Sequence, residues 1–262
     1  MMFPSKIAEV VDGKPYAEEN IGLSGARILM FDEYVLKIED KRKTDGKTVG
    51  VMRWLDGKIP APKVIRCETD DKYRYLLMSR IKGKMACDPL YLERPEKLAE
   101  MLAGALKTLW ATDVSDCPRH RDFASELAVA AYRVKHDLID LDNVNPATFS
   151  KDGFKNPAAL LKWLENNVPA VYEPVLSHGD FCLPNVFFDN GRLAGFIDLD
   201  DTGVGDKWRD IALCYRSLNN NLDGVYGGKV YANPDKGVFF EKLGMEPDWE
   251  KIRYYLLLDE LY

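Results

Sequence analysis

Leu176-Ser177-His178-Gly179-Asp180-Phe181-Cys182-Leu183-Pro184-Asn185, followed by a hairpin-like segment and then Phe196-Ile197-Asp198-Leu199-Asp200, decides how this chain is read. A short apolar run at 174–176 leads in, and runs at 186–188 and 193–197 flank Asp189-Asn190-Gly191. Asn-Gly between two such runs is a strong hairpin signal, because both turn positions need φ > 0. Asp180 precedes Asn185 by five positions, the spacing of the kinase catalytic loop H-R-D-x-x-x-x-N, and Asp198 lies thirteen further on. Phosphoryl transfer asks little covalent chemistry of a protein. It needs one carboxylate to orient a hydroxyl and take its proton, and oxygen ligands to hold Mg²⁺ against phosphates. A lone Asp before a turn is most often a cap or turn residue. The joint pattern of strand, H-G-D-x-x-x-x-N, hairpin and I-D points instead to Asp180 as base and to Asn185 and Asp198 as metal ligands. His178 is expected to pack and to bond the loop backbone rather than act as a base. Asp210, twelve residues after Asp198, is expected to cap its helix or to brace the loop.

Upstream, short β-branched or aromatic runs at 6–11, 27–31 and 33–38 read as strands. Val49, Met52, Trp54 and Leu55 suggest a helix ending at Gly57, and Ile59-Pro60-Ala61-Pro62 excludes one. Runs at 64–67 and 73–78 form a further β-pair turning at Thr69-Asp70-Asp71. After Gly83 the period changes: Leu98, Met101, Leu102, Ala105, Leu106 and Leu109 mark an amphipathic helix. Leu127, Ala131, Val134 and Leu138 suggest another, and Leu160, Leu161 and Leu164 a third, with Pro157 near its start. The last part reads as helices at 208–218, 236–243 and 249–261. The expectation is an α+β chain: a β-rich N-terminal nucleotide-binding lobe over 1–80 and a larger α-helical catalytic and substrate-binding lobe over 81–262, with the site in the cleft between them.

The 262 residues are 46% apolar and 30% charged, an ordinary globular balance. No apolar run reaches the ~18 residues of a membrane span, and 1–10 lacks the apolar core of a signal peptide. The five cysteines (Cys67, Cys87, Cys117, Cys182, Cys214) form no C-x-x-C, which argues against a disulfide framework or zinc site and for a reducing cytoplasm. Residues 1–80 hold 15 Lys+Arg against 13 Asp+Glu, or +2; the remainder hold 21 against 29, or −8. That balance suits polyphosphate in the first part and a cationic small molecule in the rest, with neither nucleic acid nor membrane as partner, and it equally suits an acidic surface that only aids solubility. A monomer or weak dimer is expected.

The segment H-G-D-F-C-L-P-N-V-F-F-D-N-G-R-L-A-G-F-I-D resembles the aminoglycoside phosphotransferases, in particular the 3′-phosphotransferase branch. The resemblance continues through G-V-G-D-K-W-R-D-I-A-L-C-Y-R-S-L and P-D-W-E-K-I-R-Y-Y-L-L-L-D-E-L-Y, and more loosely through G-L-S-G-A, V-L-K and W-L-D-G-K-I-P-A-P-K-V. It implies a two-lobed, protein-kinase-like fold, ATP and Mg²⁺ as cofactors, and transfer of the γ-phosphate to a hydroxyl of an aminoglycoside, a resistance activity. It also implies Lys37 on the α/β-phosphates, Ser24 near the β-phosphate, adenine held by backbone around Met78, Ser79 and Ile81, and the drug held by Asp259, Glu260 and the terminal carboxylate of Tyr262. Glycines around Ser24 suit a close approach of backbone N–H groups to phosphate.

Three positions depart from that family pattern. The helix after Lys37 carries Thr48 where a glutamate partner for the lysine is expected; Asp45 is a substitute if the helix starts early enough. Val35 stands where an aromatic ring often meets adenine. Acids are thinned at Asn219-Asn220-Asn221 and over 143–150, leaving Asp137, Asp140 and Asp142 to compensate. Two alternatives therefore stand beside the first reading: a kinase of another small hydroxylated metabolite, and a nucleotide-binding module with little catalysis.

Overall fold

A computed structural model describes residues 3–19, 25–43, 46–231 and 237–262. The chain groups into two units, one of residues 1–85 with 186–201, the other of 86–185 with 202–262. The 186–201 hairpin thus groups in space with the N-terminal sheet, although helical sequence surrounds it.

The first unit is built on an antiparallel sheet in the order β1-β2-β3-β5-β4, with β1 Ala17–Glu19, β2 Arg27–Met30, β3 Tyr34–Asp40, β4 Val64–Thr69 and β5 Tyr73–Ser79. Period-two alternation divides its faces. Leu29, Leu36, Ile38, Tyr75 and Leu77 form one cluster with Ile7 and Val11 of helix α1 (Ser5–Val11). Lys37, between Leu36 and Ile38 and paired with Leu76, points to the other face. Helix α2 (Thr48–Leu55) buries Thr48, Val51, Met52 and Leu55, one stripe at helical spacing.

The expected strand over 6–11 is the helix α1 instead. A short apolar run does not distinguish the two by periodicity, and Ile7 and Val11 share a face either way. The decision is tertiary: the Glu68 carboxylate on β4 accepts the N–H groups of Lys6 (3.1 Å) and Ile7 (3.3 Å), satisfying amides that a helix start leaves open.

Strands β9 (Val186–Asp189) and β10 (Arg192–Phe196) form the expected hairpin, with Asn190 and Gly191 at φ 48° and 78°, and β6 (Lys84–Met85) adds to its edge in the order β10-β9-β6. Gly83 is required there: at φ 114°, a Cβ would stand 2.5 Å from the Phe188 carbonyl oxygen.

The second unit contains α3 (Pro89–Leu92), α4 (Pro95–Trp110), α5 (Phe123–Lys135), α6 (Pro157–Asn166), α7 (Lys207–Leu222), α8 (Val238–Leu243) and α9 (Trp249–Asp259). Helix α4 buries all six residues of its predicted stripe, the leucines and Met101 each contributing roughly 1.5–3 kcal/mol relative to exposure. It packs on α8, and α7 packs on α9. Helix α5 stops at Lys135, so Leu138 lies beyond it and is exposed. The expected start of α8 at Lys236 falls outside the described residues. Asp122, Asn156, Asp206 and Asp248 cap α5, α6, α7 and α9 by accepting backbone N–H groups. A small sheet completes the unit: β11 (Gly203–Asp206) lies between β8 (Pro174–Ser177), antiparallel, and β7 (His120–Arg121), parallel.

Candidate active site

Strand β8 ends at Ser177, and the loop that follows is held by a buried acid. The fully buried Asp210 accepts the backbone N–H of His178 (2.7 Å) and Gly179 (2.9 Å) and the hydroxyl of Ser177 (3.0 Å). Burial pushes its carboxyl up from the ordinary value, and these donors, with His178, work against that shift. The α7 cap is Asp206, so of its two expected roles Asp210 takes the bracing one. The other side of the loop is tied as well. Arg209 donates to the Gly179 carbonyl (2.7 Å) and Thr202 to that of His178 (3.0 Å). Arg209 also pairs with buried Glu126, which pairs in turn with Arg121. Removing one partner of such a buried pair costs about 3–5 kcal/mol. His178 is fully buried, and its Nδ1 accepts the Asp180 N–H at 3.3 Å, the packing and backbone role expected of it.

On this frame Asn185 turns back on Asp180. Its Nδ2 donates to the Asp180 backbone carbonyl (3.0 Å) and to Oδ2 of the carboxylate (2.8 Å). Both amide protons are thereby used, leaving Oδ1 as the acceptor able to face a cation. Cys182 contacts the same carboxylate. Burial, and then the charge of Asp180, push its thiol well up from the ordinary value, so it stays protonated and donates to Asp180.

The first unit holds a second charged cluster. Lys37, with a side chain 14% exposed, bonds the Asp200 carboxylate, and Oδ1 of Asp198 lies 3.7 Å away. Burial acts to lower the Lys37 ammonium, but Asp200, Asp198 and Glu39 outweigh it and the net shift is upward. Asp198 is exposed and sits in the left-handed region at φ 57°, which Asp and Asn tolerate better than most residues. Asp200 also accepts a hydrogen bond from the Thr48 side chain; burial would raise its carboxyl, and Lys37 leads the contacts that hold it down. The lysine therefore has a carboxylate partner, supplied by the hairpin's exit and not by α2. Ser24 and Asp45 lie outside the described residues.

Val35 shares the Lys37 face and pairs with Met78. The Ser79 and Arg80 N–H groups are committed to the Lys63 and Glu33 carbonyls (both 2.9 Å). Among the described residues, Ile81 is the first of this run whose N–H has no protein acceptor, and its side chain packs on Gly195, where a Cβ would stand 2.9 Å from Cδ1.

Of the residues expected to face a cationic ligand, Asp259 and Glu260 have partners for their carboxylates within their own unit, and Tyr262 is fixed there through its hydroxyl and ring. Asp259 pairs with Arg216 at 2.5 Å. Glu260 accepts the Asn145 N–H at 2.7 Å, and burial leaves its carboxyl raised. The Tyr262 hydroxyl is 3.0 Å from the Glu126 carbonyl and carboxylate, and its ring lies under Arg209. The amides of Asn219 and Asn221 bond carbonyls of their own helix. Sequence reasoning missed Asp200, Cys182 and the Glu126–Arg209 pair. Only the spacing of I-D-L-D, which repeats an acid two residues after Asp198, hinted at the first.

This fold, with a brace under an H-G-D-x-x-x-x-N loop, defines a kinase-like phosphotransferase. Residues 23–255 match the phosphotransferase enzyme family, and the chain belongs to it. It is 35% identical to an aminoglycoside 3′-phosphotransferase of Enterococcus faecalis over 100% of this chain and 99% of that protein. A crystal structure of a type VIII aminoglycoside-3′-phosphotransferase superposes with a TM-score of 0.79 at 27% identity, covering 95% of this chain and 94% of that one. An aminoglycoside phosphotransferase of Streptomyces rimosus, solved with ADP and streptomycin, shares the fold with a TM-score of 0.79 at 22% identity over 97% and 95% of the two chains.

Proposed function

We propose that this chain transfers the γ-phosphate of Mg·ATP to a hydroxyl of an aminoglycoside, as a 3′-phosphotransferase. The observation that carries the reading is the hold on Asp180: a carboxylate oriented by Asn185 on a loop braced by buried Asp210. Asp180 accepts the proton of the attacking hydroxyl as its oxygen bonds the γ-phosphorus and the bond to the bridging oxygen of ADP breaks. Asn185 Oδ1 and the Asp198 carboxylate are hard oxygen donors of the kind magnesium takes, and the bound ion would neutralise phosphate charge. Lys37 and Ser24 serve the phosphates, the backbone at Ile81 beside Met78 and Ser79 serves the base, and Asp259, Glu260 and Tyr262 serve the cationic acceptor. Adenine nucleotide as donor is supported by the ADP complex of the Streptomyces relative. The five cysteines are free thiols, which suits a cytoplasmic enzyme.

The pairing of Asp259 with Arg216 favours one second reading, a kinase of a less cationic hydroxyl compound. ADP release measured over kanamycin, neomycin, other aminoglycosides and small hydroxylated metabolites separates the two. Drug-dependent turnover that disappears in Asp180→Asn is the expected result. Turnover with metabolites alone replaces the substrate, and an Asp180→Asn enzyme as active as wild type refutes the assignment of the base.

A further inference from the structure

Helix α2 reads T-V-G-V-M-R-W-L and offers no acid to Lys37, yet the ammonium is only 14% exposed and needs a counter-charge. Two carboxylates of the same unit compete for it. Asp200 is in contact, while Asp198 stands off at 3.7 Å. Asp200 is held in turn by the Thr48 side chain, at the first residue of α2 and 4% exposed. Arg74 lies 3.9 Å from Asp200 and is fixed by Glu39 at 2.9 Å. Three elements thus fix the position of one carboxylate.

We propose that Asp200 is a positioning residue that holds the Lys37 ammonium at its station and keeps it off Asp198, so that the lysine serves phosphate and the Asp198 carboxylate serves the cation. The inference rests on the roles given above to Lys37 and Asp198. The alternative arrangement follows from the distances. With Asp200 neutral, the nearest acid to Lys37 is Asp198, and an ammonium closing 3.7 Å to contact would compete with Mg²⁺ for that carboxylate. Asp200 therefore does what a helix acid would do, but from the exit of the 186–201 hairpin. Nucleotide binding is thereby coupled to that hairpin's geometry, and to α2 through the Thr48 contact.

The test is displacement of a fluorescent ATP analogue by ATP across a magnesium titration, with melting followed in parallel. Asp200→Asn should raise the magnesium needed for half-displacement about tenfold, the scale of one charged hydrogen bond. Asp200→Glu, which keeps the charge, should stay near wild type. Adding Thr48→Glu to Asp200→Asn should restore most of the loss by bringing a carboxylate from α2, whereas Thr48→Gln in its place should not. This neutral-versus-charged comparison at equal size reads the same contact even if Asp200→Asn alone is unstable. A wild-type magnesium dependence in Asp200→Asn, or equal behaviour of the Glu and Gln double variants, would overturn the proposal. Lys37→Ala and Asp198→Asn locate the failure. If they weaken Mg·ATP binding and Asp200→Asn does not, only the role of Asp200 is wrong. If they bind as wild type, the reading of Lys37 and Asp198 fails first and this inference with it.

Discussion

Replacing Asp210 by Asn should unseat the loop that carries Asp180 without changing the shape of the core. The side chain is fully buried, and among the described residues its hydrogen-bond partners are all donors: two backbone N–H groups at 2.7 and 2.9 Å and a hydroxyl at 3.0 Å. The amide keeps the volume, so no cavity term enters. It loses the charge, and it turns an NH₂ toward at least one N–H, leaving that donor without an acceptor. An unsatisfied buried donor costs about 1–3 kcal/mol, and a charge-assisted bond contributes about 1.5–3; the two overlap, so the expected loss is about 2–4 kcal/mol. For a chain of this size 1 kcal/mol moves Tm by about 2–4 °C, which gives a fall of roughly 4–16 °C by calorimetry or circular dichroism at neutral pH. Asp180 is the next residue after Gly179, so turnover should fall at temperatures well below the new Tm, while substrate KM changes less. A variant melting within 1 °C of wild type with unchanged turnover would refute the idea that Asp210 braces the loop.

Asp198→Asn should abolish Mg·ATP-dependent turnover with the circular dichroism spectrum intact, since Asn tolerates the φ of 57° as Asp does; near-normal turnover would remove Asp198 from the metal site. Glu173 shows a pH effect with a definite sign. Burial would raise its carboxyl, but Lys207, Trp208 and Lys251 outweigh it and hold it down at about 2. Its contribution is therefore complete above the unfolded value near 4.5 and lost as pH falls toward 2. Glu173→Gln should lower Tm at pH 6 and flatten the acid limb below pH 5, and an unchanged acid limb would count against the pairing. Gly83→Ala should cost at least about 1–3 kcal/mol, because it forces a Cβ to 2.5 Å from the Phe188 oxygen at φ 114°; a variant with wild-type Tm would show that the hairpin edge can yield.

Local chemistry made much of this protein legible before any fold was known. The Asn190-Gly191 hairpin and the α4 stripe are set by dihedral preference and helical period, and the five-residue step from Asp180 to Asn185 lets the amide turn back on the carboxylate within one loop; all of these act over a few residues. The role of His178 and the bracing option for Asp210 followed from the same short segment.

What the sequence left open was settled by groups far apart in the chain. A run at 6–11 that suits either period became a helix because Glu68, sixty-two residues from Lys6, satisfies its first amides. The partner of Lys37 turned out to be Asp200, 163 residues away, because a buried ammonium takes whichever carboxylate the backbone delivers to its side of the sheet. Asp259 and Glu260, which read as free acids on a helix end, already have Arg216 and Asn145 as partners. Hydrogen-bond and charge satisfaction depend on distance in space, and only the tertiary structure fixes that distance.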